Sequence, residues 1–268
     1  MEKMIAGLGG QLRWAASLDR LDLAESAAML VCGMGGSGIS GDFAAEVAAV
    51  HGRRLSVHKG YGLPGWTEQE RPLVVAVSYS GNTEETLSAV EDAGKAGLAV
   101  VAVTSGGTLA SLADQEGWPT VLVPGGLQPR AAAGYLIGSV VRVAEGSGLV
   151  EDPRPDLEEA AWAVDELIGP DCRGPARPLA DDLAAGLDGR VAVVYGSSGL
   201  TAPAAQRWKT QINENAKWPA WWSLLPELDH NEIVGWTTLS DLTRRRVGVV
   251  TLRDRHEHPR VAARFRLT

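Results

Sequence analysis

The sequence predicts an α/β protein built on parallel sheets. Short apolar, β-branched runs alternate with Ala-rich helical stretches along the chain. The runs are continuously apolar rather than alternating, which suits strands covered on both faces. Strand–helix–strand repetition then favours parallel strands joined by right-handed crossovers. The 268 residues, at about 150 per domain, fit one large domain or two small ones. A break in the pattern favours two, residues 1–152 and 153–268.

The strands expected in the first domain are Met29–Met34, Leu55–His58, Leu73–Ser78, Leu98–Thr104 and Thr120–Val123. Helices such as Thr83–Ala96 and Leu109–Gln115 lie between them. Asp152-Pro153-Arg154-Pro155 cannot continue a helix and marks the break. A helix follows from Leu157 to Ile168, and the Gly/Pro-rich stretch Gly169–Pro178 reads as a linker or surface loop. Two strands, Val191–Tyr195 and Val247–Leu252, are expected beyond it. The second domain therefore has fewer strands than the first and reads as truncated. Val31-Cys32-Gly33-Met34-Gly35-Gly36-Ser37-Gly38 and Val193-Val194-Tyr195-Gly196-Ser197-Ser198-Gly199 are both a strand running into a Gly/Ser turn. Duplication of an α/β unit explains the echo, and so does the general need for glycine after a buried strand.

With 25 Lys+Arg against 33 Asp+Glu the net charge is -8, which disfavours general binding to nucleic acid or an anionic membrane. A local site can still oppose that field and hold a small anion. Cys32 and Cys172 belong to no CxxC pair or Cys/His cluster, so no structural zinc is expected. The N-terminus does not read as a signal peptide. No run approaches the roughly 18 apolar residues of a membrane span, and a cytoplasmic location is expected.

Gly33-Met34-Gly35-Gly36-Ser37-Gly38 fits G-x-G-x-x-G after a strand. A dinucleotide site would want an acid at the end of the second strand, but that strand ends in His58-Lys59. A tight strand-to-helix turn is the plainer reading. Ser78-Tyr79-Ser80-Gly81-Asn82-Thr83-Glu84-Glu85-Thr86 concentrates hydroxyls where a buried strand enters a helix. Unsatisfied N–H groups and the helix dipole favour an anion there, and Ser78, Ser80 and Thr83 can each donate to a phosphate oxygen. Capping by Ser80 or Thr83, with Glu84 and Glu85 complementing the dipole, is the alternative. Ligands in open α/β sheets sit beyond the carboxyl ends of the strands. The loop carrying Arg130 reaches the same edge, where it can supply a fixed cation.

In the second domain, Ala202–Asn213 reads as a helix ending at Asn213-Glu214-Asn215. Glu214 then faces the unfavourable end of the dipole. Trp208, Trp218, Trp221 and Trp222 crowd the neighbourhood and are expected to desolvate the carboxylate, while Lys209 and Lys217 oppose that shift. Such a carboxylate suits proton abstraction at carbon; a surface Glu paired with a Lys is the alternative. In Glu227-Leu228-Asp229-His230-Asn231-Glu232-Ile233, Asp229 and Glu232 have capping-box spacing, which sets His230 at the first helical position. His230 stands in a dense polar cluster and is the candidate acid/base.

Together these segments resemble the sugar isomerase (SIS) superfamily and, within it, the bifunctional phosphoglucose/phosphomannose isomerases. The resemblance rests on Met34–Asp42, Ser78–Thr86, Gln128-Pro129-Arg130, Asn213–Lys217 and Pro226–Ile233, which span nearly the whole chain in the family's order. It implies two SIS-type α/β/α sandwich subdomains and a homodimer with active sites between subunits. Gly36, Ser37, Ser78, Ser80 and Thr83 would cradle the phosphate of a hexose 6-phosphate. Glu214 would move a proton between C1 and C2 through a cis-enediol, His230 of the partner subunit would assist ring opening, and Arg130 would stabilise the enediol's charge. Fructose 6-phosphate would be interconverted with glucose 6-phosphate and mannose 6-phosphate, with no metal or organic cofactor. Family members continue into further structure that includes a lysine near the sugar ring, whereas no lysine follows Lys217 here. That departure supports an alternative, a non-catalytic sugar-phosphate-binding protein on the same fold. A nicotinamide-dependent oxidoreductase is a third, less favoured reading.

Overall fold

The computed structural model describes residues 2–268, which form two compact units, Met1–Arg177 and Pro178–Thr268. The first unit begins with α1 (Glu2–Ala6) and α2 (Leu8–Ala16). There follow β1 (Ala28–Cys32), α3 (Gly35–Val50), β2 (Arg54–His58), α4 (Thr67–Glu70), β3 (Leu73–Ser78) and α5 (Glu84–Lys95). The unit continues with β4 (Val100–Thr104), α6 (Gly107–Glu116), β5 (Thr120–Leu122), α7 (Ala133–Gly146) and α8 (Arg154–Ile168). Its five strands are all parallel, in the order β2-β1-β3-β4-β5.

Alternate residues of the central strands feed two cores, as the two-residue period of a strand requires. Met29, Val31, Val75, Val77, Val101 and Val103 pack with residues of α3 and α7. Leu30, Cys32, Val74, Ala76, Val100 and Ala102 pack with Ala89, Val90 and Ala93 of α5 and Leu109 and Ala113 of α6. β3 and β4 are buried along their whole length, and each covered Val contributes roughly 1.5–3 kcal/mol by leaving water. The result is the expected α/β/α sandwich. The unit ends later than the break at residue 152 suggests, because α8 buries Leu157 and Ala161 against Leu12, Ala15 and Ala16 of α2.

The second unit carries α9 (Arg177–Leu187, which begins at the boundary), β6 (Val191–Ser197), α10 (Thr201–Gln211) and β7 (Ala220–Leu225). After these come α11 (Glu232–Gly235), α12 (Ser240–Arg246), β8 (Val247–Thr251) and α13 (Pro259–Leu267). Its sheet has three parallel strands in the order β7-β6-β8. The Trp-rich segment Ala220–Leu225 is a strand that the sequence pattern did not announce. Val193, Tyr195, Leu225 and Leu228 form this unit's core with Trp236, Val247, Val261 and Phe265 around them. The edges are less covered. Trp221 and Val249, both in register with Val193, remain 58% and 47% exposed.

Candidate functional site

The carboxyl ends of β1 and β3 bring the first group of candidates together. α3 starts directly after the β1 turn and α5 directly after the β3 turn, and neither has a side-chain cap. Ser37 and Ser78 are buried. The Tyr79 N–H donates to Ser37 Oγ at 3.4 Å, which ties the two turns together. Thr83 occupies the N-cap position of α5, but its hydroxyl pairs with Ser78 Oγ at 2.8 Å instead of capping. Two helix N-termini and three hydroxyls thus share one edge of the sheet, an arrangement suited to an anion. Ser80 is exposed, and its Oγ accepts from the Asn82 N–H at 3.3 Å. The Tyr61 hydroxyl engages Glu84; the charges of Glu84 and then Glu85 push its pKa up.

The close fit of this edge depends on glycine. Gly81 has φ +70°, and a Cβ there would lie 1.8 Å from the Gly106 carbonyl oxygen. A Cβ at Gly36 would meet Pro129 O at 3.6 Å and Arg130 Cα at 4.0 Å. The 3₁₀ turn Pro129–Ala131, with Arg130 on it, therefore rests beside the start of α3.

Two residues that sequence reasoning passed over hold these turns. Gln11 of α2 is buried. Its Nε2 donates to Ala131 O at 2.8 Å, and its Oε1 accepts from Gly134 N at 3.0 Å. The Tyr79 hydroxyl donates to Pro124 O at 2.9 Å and accepts from Leu127 N at 3.1 Å. A buried amide in an otherwise apolar helix face was the available signal for Gln11.

The second unit carries Glu214 and His230. α10 runs into a π-turn, Ile212–Ala216, that closes on Lys217 in the left-handed region. π-turns within helices recur at functional sites. Glu214 stands on this turn and is exposed. The expected desolvation by indoles is not seen, because Trp221 and Trp222 belong to β7 and Trp218 donates its indole N–H to Arg190 O, ahead of β6. Glu214 instead acts on the guanidinium of Arg207, whose pKa burial pulls down and the Glu214 charge pulls back up.

His230 is exposed at the end of a 3₁₀ turn, Glu227–His230, that follows β7. The capping box does not form. Asn231 caps α11, accepting from the Glu232 N–H at 2.6 Å. The Asp229 carboxylate instead accepts from Arg264 at 2.9 Å and from the Thr268 hydroxyl at 3.0 Å. Glu232 accepts a hydrogen bond from the Tyr195 hydroxyl, which in turn accepts from the Trp236 indole N–H at 3.0 Å. Burial, reinforced by the bond to Glu232, pushes the Tyr195 pKa up, so it stays a donor.

Topology separates the two candidates. The π-turn precedes β7 and the 3₁₀ turn follows it. Glu214 and His230 therefore lie at opposite edges of this sheet, with a six-residue strand between them, roughly 20 Å of extended chain. Among the described residues no group of three or more His, Cys, Asp or Glu is placed to hold a metal. No helix among them is long and apolar enough to cross a membrane.

Residues 177–268 match the family model of the bacterial phospho-glucose isomerase C-terminal SIS domain. The chain is 36% identical over 251 residues to a bifunctional phosphoglucose/phosphomannose isomerase of Caldicellulosiruptor bescii, covering 90% of this chain and 71% of the relative. It is 35% identical over 268 residues to the protein of that name in Aquifex aeolicus, covering 99% of this chain and 78% of the relative. The C-terminal domain of glucosamine-fructose-6-phosphate aminotransferase from Francisella tularensis has the same fold. It superposes with a TM-score of 0.67 at 14% identity, over 94% of this chain and 76% of that one.

Proposed function

The chain belongs to the bifunctional phosphoglucose/phosphomannose isomerase family, and we propose that it interconverts fructose 6-phosphate with glucose 6-phosphate and mannose 6-phosphate by cofactor-free aldose–ketose isomerisation. The observation that carries the reading is the convergence of Ser37, Ser78 and Thr83 with the uncapped starts of α3 and α5. In this reading Gly36, Ser37, Ser78, Ser80 and Thr83 receive the phosphate through backbone N–H groups and hydroxyls. His230 gives a proton to the ring oxygen and opens the sugar. Glu214 takes the proton from C2 of the aldose, leaving a cis-enediol, and returns it to C1 to give the ketose. Arg130 stabilises the negative charge that develops on the enediol oxygens.

The opposite-edge placement of Glu214 and His230 supports a site assembled from two copies. One subunit supplies the base and the partner copy supplies the imidazole. The working form in this reading is a cytoplasmic homodimer with shared sites.

The test is turnover of fructose 6-phosphate by the full chain, with both aldose products quantified, alongside Glu214→Gln. Formation of both products, lost in the variant, supports the proposal. Binding of fructose 6-phosphate without turnover would assign the chain the non-catalytic sugar-phosphate-binding role.

A further inference from the structure

We infer that Tyr195 is a positioning residue that acts through Glu232 to fix the backbone on which His230 stands. The inference rests on the reading of His230 as the ring-opening group and adds a residue to it. Tyr195 lies on β6, the central strand of its sheet, and is only 3% exposed. Its hydroxyl has two partners, the Glu232 carboxylate and the Trp236 indole N–H. Glu232 follows His230 by two residues and opens α11. The His230 turn is exposed and short, so little apolar packing holds its tip. Leu228 is the turn's buried apolar anchor. Polar contacts hold the remainder. Asn231 donates to Glu227 Oε1 at 3.0 Å, bracing the turn against itself. Arg264 holds Asp229 on the side preceding His230. Tyr195 holds Glu232 on the side following it.

The two holds differ in stiffness. Arg264 is a long side chain from an exposed helix, and its pair is partly screened by water. Tyr195 is a short, ring-stiffened link to the most covered strand of the unit. Loss of its hydroxyl leaves Glu232 without this anchor, and the imidazole between the two holds gains freedom. Small misplacements of a reacting group cost rate steeply.

Ring opening can be read apart from isomerisation. A sugar phosphate that opens and recloses exchanges its α and β anomers without proton transfer at carbon. The full chain carrying Glu214→Gln is used as background, and exchange between the anomers of glucose 6-phosphate is followed by two-dimensional exchange NMR. Adding Tyr195→Phe or Glu232→Gln is expected to slow enzyme-dependent exchange by about tenfold or more, with the dissociation constant for glucose 6-phosphate changed by less than about twofold. Trp236→Phe removes the hydroxyl's other partner and leaves the Glu232 bond in place. It is expected to keep exchange within about twofold of the background, even though it also lowers stability. Glu232→Gln sits on a half-exposed side chain and tests the link if Tyr195→Phe fails to fold. Equal slowing in Trp236→Phe and Tyr195→Phe would make the effect one of general stability and overturn the inference. Unchanged exchange in both Tyr195→Phe and Glu232→Gln would overturn it as well. If the Glu214→Gln background exchanges anomers no faster than Glu214→Gln/His230→Ala, the role of His230 fails first and the inference falls with it.

Discussion

The two units build the same strand order and use it differently. The order β7-β6-β8 in the second repeats β2-β1-β3 in the first, with β6 in the place of β1. β3 is flanked by β1 and β4 and buried at every position, whereas β8, in the corresponding place, is an edge strand buried at alternate positions. The candidate residues follow that difference. Ser37 and Ser78 are held in the floor of a covered sheet edge, and Gln11 and Tyr79 lock the adjoining turns. Glu214 and His230 stand on short exposed turns at either end of β7. Holding a phosphate needs fixed donors, which a buried turn supplies. Moving a proton at carbon needs a group that can reach, and an exposed turn provides that at the cost of added polar struts.

The sharpest way to break this division of labour is Glu214→Gln. It is expected to lower kcat by roughly 10²–10⁴-fold while the affinity for fructose 6-phosphate stays within about threefold. Steady-state kinetics and titration calorimetry read the two numbers. A matching loss of affinity would place Glu214 in binding and erase the contrast. The two-copy arrangement is tested by mixing. Chains with Glu214→Gln and chains with His230→Ala, each inactive alone, should regain about a quarter of wild-type activity after co-refolding at equal amounts, since half the dimers are mixed and each mixed dimer has one intact site. No recovery, with mixed dimers present by mass spectrometry, would put both groups in one subunit.

The covered unit should be the less forgiving. Gly81→Ala forces a Cβ onto the Gly106 carbonyl at a positive φ. It is expected to cost on the order of 3 kcal/mol of stability, read by urea denaturation. Ser78→Ala removes a hydroxyl from the proposed cradle. Its KM for hexose 6-phosphates should rise about tenfold or more, the equivalent of one hydrogen bond to a charged group, with kcat little changed. The smallest effect concerns Cys32. Burial pushes its thiol up to about 12 from an ordinary 9.0. Folding thus favours the protonated form, so its contribution is complete below about pH 9 and is lost as the pH rises toward about 12. Relative to Cys32→Ala, the wild type should lose roughly 1 kcal/mol by pH 10, read as a shift in urea midpoint.

The cradle was legible in the sequence because its cause is local. A continuous apolar run, Leu73–Val77, enters a turn of Ser78, Ser80 and Thr83, and both the strand and the helix start follow from neighbours in the chain. The parallel sandwich was legible for the same reason. Misreadings occurred where a distant residue decides. Asp229 and Glu232 have capping-box spacing, yet Arg264, 35 residues further on, takes Asp229, and Tyr195, 37 residues back, takes Glu232. Asn231 then caps in their place. β7 escaped notice because Trp221 and Trp222 read as a packed cluster, whereas an edge strand leaves Trp221 in water. The unit boundary moved because α8 finds its partner in α2, more than a hundred residues earlier.

The π-turn at Ile212–Ala216 sets a bearing as well as a location. An α-helix advances about 100° per residue, and a π-turn holds one residue more than an α-turn. Redrawing this segment as regular helix would keep Glu214 in the sequence but swing it, and the chain entering β7, around the helix axis by about that angle. Single-residue deletions at Ile212 or Asn213 therefore act as rotations. They turn the carboxylate toward a different quarter of the molecule while its chemistry stays intact.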